Sequence, residues 1–257
     1  MQQVNILKPG RCIATTSATP ILCQCDDGNN YFTKFYEGVE GPRELVNEYI
    51  AYRIAKLIKL PIPEAALLRP NPSTDFYIAG LEKCINSTHL AFGSKELTKV
   101  ISAVDEEVFE SCNNKADFLP IIVFDHIIGN QDRERNVGNL LMRVNDRIIF
   151  IIDHGRIFEQ GTLWDKRSCI DRMKDIKLKD LSDDSIYGMM LNTIDINQYR
   201  ADCISKFSQI TREKLQEIFD SIPEEWECSD DDKYGAMEFI LYRLEKVEEI
   251  INQIEER

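Results

Sequence analysis

Histidine is scarce: His89, His126 and His154 are the only three in 257 residues. The eight cysteines are Cys12, Cys23, Cys25, Cys84, Cys112, Cys169, Cys203 and Cys228, and none forms a C-x-x-C pair. That combination argues against a structural zinc site, which needs clustered thiolates and imidazoles. Cys23-x-Cys25 on a strand places both thiols on one face as small apolar side chains. No signal peptide is recognisable, so free thiols and a cytoplasmic protein are expected. No apolar run reaches the roughly 20 residues needed to span a bilayer, so no membrane span is expected. Positive charge is also in deficit. With 31 Lys and Arg against 44 Asp and Glu, the net charge of −13 argues against broad binding to nucleic acid or anionic membrane. There is no internal repeat and no low-complexity segment.

What is present is an ordinary globular composition, long enough for one good core or two small lobes sharing a cleft. The first 80 or so residues are strand-rich. Runs at Arg11–Thr16, Ile21–Cys25 and Tyr31–Tyr36, with Asp27-Gly28-Asn29-Asn30 as turn chemistry, read as an antiparallel meander. A helix follows from Pro42, whose missing N–H costs little in a first turn. Leu45, Tyr49, Tyr52 and Leu57 keep helical spacing to Leu60, and Pro61 and Pro63 stop it. Strands at Ala65–Arg69 and Phe76–Ala79 complete a small α+β lobe, with 80–88 as connector. The remainder is mostly helical: Ala116–Ile128 with an interruption at Pro120, Asp180–Leu191, Gln198–Gln209, Thr211–Ser221 and a long amphipathic helix over Asp231–Glu255. Between these, Asn139–Arg143 and Arg147–Ile152 form a hairpin around Val144-Asn145-Asp146. The acidic stretch 224–232 reads as a solvated loop and helix start.

Chemistry concentrates in Asn130-Gln131-Asp132-Arg133-Glu134-Arg135-Asn136-Val137-Gly138-Asn139, followed across the hairpin by Asp153-His154-Gly155. An Asp, an Asn on a short loop, a strand pair and then Asp-x-Gly is an arrangement that holds a phosphate donor. The first Asp takes the acceptor's proton. The Asn and the second Asp offer hard oxygens to magnesium. Asp132, Asn139 and Asp153 are the candidates, with Asn136 an alternative to Asn139. Asp153 stands out because a charge at the end of an Ile-rich strand is hard to account for by packing. A cation for the nucleotide phosphates is available in Lys34, on the third strand. Glu48 lies on the core-facing stripe of the following helix, where a lone carboxylate is costly and Lys34 is its natural partner. Alternatively, Lys34 and Glu48 simply reach solvent. Arg133 is expected to pair with Asp153 or to hold the loop. His126 and His154 are expected to be packed rather than catalytic.

These residues reach a family. The chain resembles the HipA-like kinases, in particular the short single-domain group, which are distantly similar to phosphatidylinositol kinases. The resemblance runs through Asp26-Asp27-Gly28, Tyr31-Phe32-Thr33-Lys34-Phe35, Leu45-Val46-Asn47-Glu48-Tyr49, Leu60-Pro61-Ile62-Pro63-Glu64, Phe92-Gly93-Ser94, the loop from Asn130 to Leu141 and Ile152-Asp153-His154-Gly155. It implies an α+β, bilobal protein-kinase-like fold: a small antiparallel-sheet N-lobe with one main helix over 1–83, and a mostly helical C-lobe over 84–257. It implies transfer of the ATP γ-phosphate with Mg2+, to a serine or threonine of a protein. Lys34 is then the phosphate-contacting cation, Glu48 its helix partner and Asp132 the catalytic residue. Asn139 and Asp153 are the metal ligands. Asn139 is preferred to Asn136 because it directly precedes Leu140-Leu141. The loop over the phosphates is Thr15-Thr16-Ser17-Ala18-Thr19-Pro20, without the Gly usual there, so Thr16, Ser17 and Thr19 are candidates for phosphate contact, and Thr15, Thr16, Ser17 and Thr19 for self-modification. Arg133-Glu134 also departs from the Arg-His of related lipid kinases. A restraining antitoxin-like partner belongs to the same expectation. A nucleotide-binding pseudokinase and a small-molecule or lipid kinase are the competing readings; the lack of surplus positive charge weighs against the lipid version.

Overall fold

Strands with alternating burial build the first part of the chain in the computed structural model, which describes residues 1–12, 20–71, 76–78, 83–85, 87–103, 105–134 and 136–257. β1 (Gln3–Cys12), β2 (Ile21–Cys25) and β3 (Asn30–Lys34) pair antiparallel in sequence order. On β2, Ile21, Cys23 and Cys25 point inward, as a period of two requires. The turn between β2 and β3 is held by Asp27, whose carboxylate accepts from the Asn29 backbone N–H at 3.0 Å and from the Tyr31 hydroxyl at 2.7 Å.

After α1 (Pro42–Leu57), β4 (Ala65–Arg69) returns beside β1, and β7 (Ala91–Lys95) closes the gap between β3 and β4. The result is a closed barrel in the order β1-β2-β3-β7-β4, with β1 and β4 parallel. This corrects the expected antiparallel sheet. The helical crossover between β3 and β4 permits a parallel return, and β7 escapes notice because Ala-Phe-Gly-Ser-Lys has no β-branched residue. Gly93 is needed there: a Cβ would fall 2.4 Å from Leu68 Cδ1. β5 (Phe76–Ile78) pairs with β6 (Lys83–Ile85), a strand within the expected connector. The expected strand Arg11–Thr16 falls largely outside the described residues. Helix α1 stops at Leu57, short of Leu60, as Lys59 turns left-handed with φ 57°.

The rest carries β8 (Val100–Ser102), α2 (Glu106–Ser111), α3 (Phe118–Ile127), β9 (Leu140–Arg143), β10 (Ile148–Ile151), α4 (Lys166–Arg172), α5 (Ile186–Asn192), α6 (Ile196–Phe207), α7 (Arg212–Asp220), α8 (Asp230–Leu244) and α9 (Val247–Glu255). Every residue of α3 is buried, which is what a helix apolar on all sides requires. Pro120 sits in its first turn, where its missing N–H breaks no intrahelical bond, so no interruption occurs. The expected hairpin is present as β9 and β10, with Ile149 opposite Met142. The expected helix from Asp180 begins only at Ile186, because Asp180 Oδ1 accepts from the Ser182 N–H and Ser185 caps the start. The long terminal helix divides at Glu245 and Lys246, the latter at φ −104°, although its apolar spacing runs on.

Two compact units result, each assembled from separate stretches: Met1–Tyr49 with Pro63–Leu97 and Ile222–Cys228, and Ile50–Ile62 with Thr98–Ser221 and Ser229–Arg257. From the sequence, one boundary is expected after residue 83. The contacts instead carry the first unit to Leu97 and add 222–228, which dock through Trp226: its Nε1–H donates to the Leu90 carbonyl at 2.7 Å. No helix among the described residues is long and apolar enough to cross a membrane. Cys25, Cys112 and Cys203 are free thiols.

Candidate active site

In the first unit, β3 delivers Lys34 to the side of α1. Its Nζ lies 2.5 Å from Glu48 Oε1 and 2.8 Å from Glu44 Oε1. All three are buried, at 8%, 5% and 4% exposure, so the charges are held in a medium where an unpaired ion is costly. The expected Lys34–Glu48 pair is thus formed. Glu44 was not anticipated, although its place one turn before Glu48 on the same helix face is the signal that could have found it. Thr16, Ser17 and Thr19 lie outside the described residues.

In the second unit, the segment after α3 is organised around a buried carboxylate, Asp125, the only acid in a helix that is otherwise apolar but for His126. Asp125 Oδ1 accepts from Asn130 Nδ2 at 2.8 Å. Its Oδ2 accepts from Arg133 Nε at 2.7 Å and from the Tyr187 hydroxyl at 2.9 Å. Burial, the largest single influence, would raise this carboxyl, but Arg133, His154 and Asn130 together outweigh it and hold Asp125 below its usual range. Tyr187 is pushed well above its ordinary value by burial and by Asp125. Asn130 also accepts from the Asp132 backbone N–H at 3.0 Å, fixing where Asp132 begins.

Asn139 Nδ2 donates to Asp132 Oδ2 at 2.7 Å. That bond leaves Asp132 Oδ1 and Asn139 Oδ1 without a hydrogen-bond partner among the described residues. Asn136 is differently engaged: its side-chain oxygen accepts from the Gly138 N–H at 3.2 Å and caps the turn Val137–Asn139. The two asparagines therefore divide the work, one holding the loop and one facing Asp132.

Across the hairpin, the Ile152 N–H donates to the Asn139 carbonyl at 3.1 Å, carrying Asp153 to the neighbourhood of Asn139. Asp153 has φ 56°, a left-handed conformation that a non-glycine residue adopts at a cost. His154 is buried, and its Nε2 takes a hydrogen bond from Arg133 Nη2 at 2.8 Å, which makes it a neutral acceptor with its proton on Nδ1. Arg133 thus holds the loop, with Asp125 as its ion-pair partner.

His126 is packed as expected: its Nδ1 lies 2.7 Å from the Ile122 carbonyl and its Nε2 accepts from the Lys179 N–H at 3.1 Å. Further along, the Phe158 and Glu159 N–H groups donate to the carbonyls of Ile128 and Gly129 at 2.8 and 2.9 Å, so the segment after Asp153 is stitched to the start of the Asp132 loop.

The donor set fits a magnesium ion. Asn139 and Asp153 offer oxygen, and magnesium is commonly held by one or two protein groups with water and phosphate completing its shell. Among the described residues no group of three or more His, Cys, Asp and Glu forms a cage, as a softer or fully chelated metal would want.

The sequence matches the HipA-like kinase family over residues 6–256. No curated protein matches it significantly. The crystal structure of a Helicobacter pylori proinflammatory kinase, CtkA, is similar to the whole chain, with 16% identity, 100% of this chain and 98% of that chain covered, and a TM-score of 0.63. Golgi casein kinase structures are more remote. One has 12% identity with 100% and 74% of the chains covered and a TM-score of 0.47, and a second with Mn/ADP bound has 11% identity, the same coverage and a TM-score of 0.44.

Proposed function

Because the chain belongs to the HipA-like kinase family, we propose that it transfers the γ-phosphate of ATP, with magnesium, to a serine or threonine hydroxyl of a protein. One observation carries this reading: the Asn139 amide bonded to Asp132 at 2.7 Å, with Asp153 brought alongside by the Ile152 to Asn139 backbone bond. Asp132 Oδ1 is then left to receive the acceptor's proton as its oxygen bonds to phosphorus and the bond to ADP breaks. Asn139 Oδ1 and Asp153 would hold the magnesium, which neutralises phosphate charge when bound. Lys34, aimed by Glu44 and Glu48, serves the nucleotide phosphates. Thr16, Ser17 and Thr19 remain candidates for phosphate contact. The protein acceptor and a restraining partner protein rest on the family resemblance alone, and a cytoplasmic setting rests on the thiols and on the lack of a recognisable signal peptide.

Incubation with γ-labelled ATP and magnesium tests the proposal. Wild type is expected to label a protein acceptor or itself, while Asp132→Asn and Asp153→Ala fold normally and lose at least 100-fold in rate. Equal labelling by all three proteins overturns the assignment. Nucleotide binding without turnover in wild type indicates a pseudokinase instead.

A further inference from the structure

Arg133 makes four side-chain hydrogen bonds, and they fall on both sides of the candidate metal-binding pair. Its exposure is 0%. Nε donates to Asp125 Oδ2 at 2.7 Å, Nη1 to the Asn139 carbonyl at 2.5 Å and the Ile152 carbonyl at 3.2 Å, and Nη2 to His154 Nε2 at 2.8 Å. Ile152 and His154 are the two neighbours of Asp153. Asn139 is the other candidate ligand. One planar group therefore grips the backbone of one ligand and both flanks of the other.

We infer that Arg133 is a positioning residue that sets the separation of Asn139 and Asp153 and so their affinity for the metal–nucleotide. The inference rests on the kinase reading and extends it. A guanidinium is rigid and carries five donors in one plane, so its acceptors are held at fixed relative places. Asp125 prevents the plane from turning, and Asn130 and Tyr187 prevent Asp125 from turning. Asp153 needs this support because its left-handed backbone persists only where its surroundings over-determine it. A lysine would keep a positive charge beside Asp125, but its single nitrogen cannot reach the same four acceptors.

The test is Mn2+ binding in the presence of ADP, followed by electron paramagnetic resonance on wild type, Arg133→Lys and the paired variant Arg133→Met/Asp125→Leu, which removes both buried charges together. Ile250→Ala, in α9, serves as a control of lowered stability away from the site. Variants retaining a cooperative thermal transition are expected to bind Mn2+–ADP at least tenfold more weakly, and their turnover is expected to fall more at limiting than at saturating metal. Ile250→Ala keeps wild-type Mn2+ affinity. If Arg133→Lys does not fold, the paired variant decides. A folded variant with wild-type Mn2+ affinity, or an equal loss in Ile250→Ala, overturns the positioning role and leaves the kinase reading standing. Wild type that binds no Mn2+–ADP overturns the kinase reading and with it the inference.

Discussion

His126 shows how a side chain with no place in the chemistry still leaves a mark on solution behaviour. It donates from Nδ1 to Ile122 and accepts at Nε2 from Lys179, an arrangement only the neutral ring satisfies. Burial lowers its pKa to about 4. Between that value and the roughly 6.5 of an unfolded histidine, the unfolded chain holds the extra proton, so stability rises with pH across this window and is lost as pH falls through it. Lowering the pH from 7.5 to 5 is expected to cost about 2 kcal/mol from this residue. Urea unfolding at both pH values checks it, and His126→Gln should flatten the difference. Asp125, whose pKa is depressed, contributes stability that is lost only at still lower pH. Among the site residues, sequence order was enough to propose Asp132, Asn139, Asp153 and the Lys34–Glu48 pair, because their spacing is tied to known chemistry. Glu44 had a signal in its place one turn before Glu48, whereas Asp125 and Tyr187 were not legible. They meet their partners only through folding, and Tyr187 comes from 62 residues away.

Elements with strong local patterns were readable, and those defined by their neighbours were not. β2 and the β9–β10 hairpin carry alternating or β-branched residues and bounded turns, and β4 is bounded by Pro63 and Pro70. β7 is a strand only because β3 and β4 flank it. The terminal helix kept its apolar spacing through a break that dihedral angles reveal and periodicity does not. The close approach of α4 and α8 is likewise a tertiary fact. Gly235 on α8 meets Lys166 so closely that a Cβ would lie 2.5 Å from Lys166 Cα, a backbone atom. Gly235→Ala should raise helix propensity yet destabilise the protein by about 1–3 kcal/mol, because the helices must separate. Thermal unfolding gives the sign directly: a stabilised variant would mean the two helices are not held at that distance.

The chain passes between its two units more than once, so neither is a continuous piece of sequence. Residues 222–228 belong to the first unit because Trp226 donates to Leu90, meets Tyr49 edge-on at 5.8 Å, and is preceded by Glu225, which accepts from the Leu90 N–H at 2.7 Å and pairs with Arg69 at 3.1 Å. Trp226→Ala is expected to cost about 3–5 kcal/mol, from lost burial and the stranded Leu90 carbonyl. A change below about 1 kcal/mol in urea unfolding would show that the segment is an appendage. This membership could not be read from sequence, where 224–232 appears only as an acidic stretch. The closed barrel has a different consequence. Strand addition by a partner needs a row of unpaired backbone N–H and C=O groups, and among the described residues the pairing of Gln3–Asn5 with Leu67–Arg69 takes up that row where β1 meets β4. A protein recognised at that seam must therefore be read through side chains and loops.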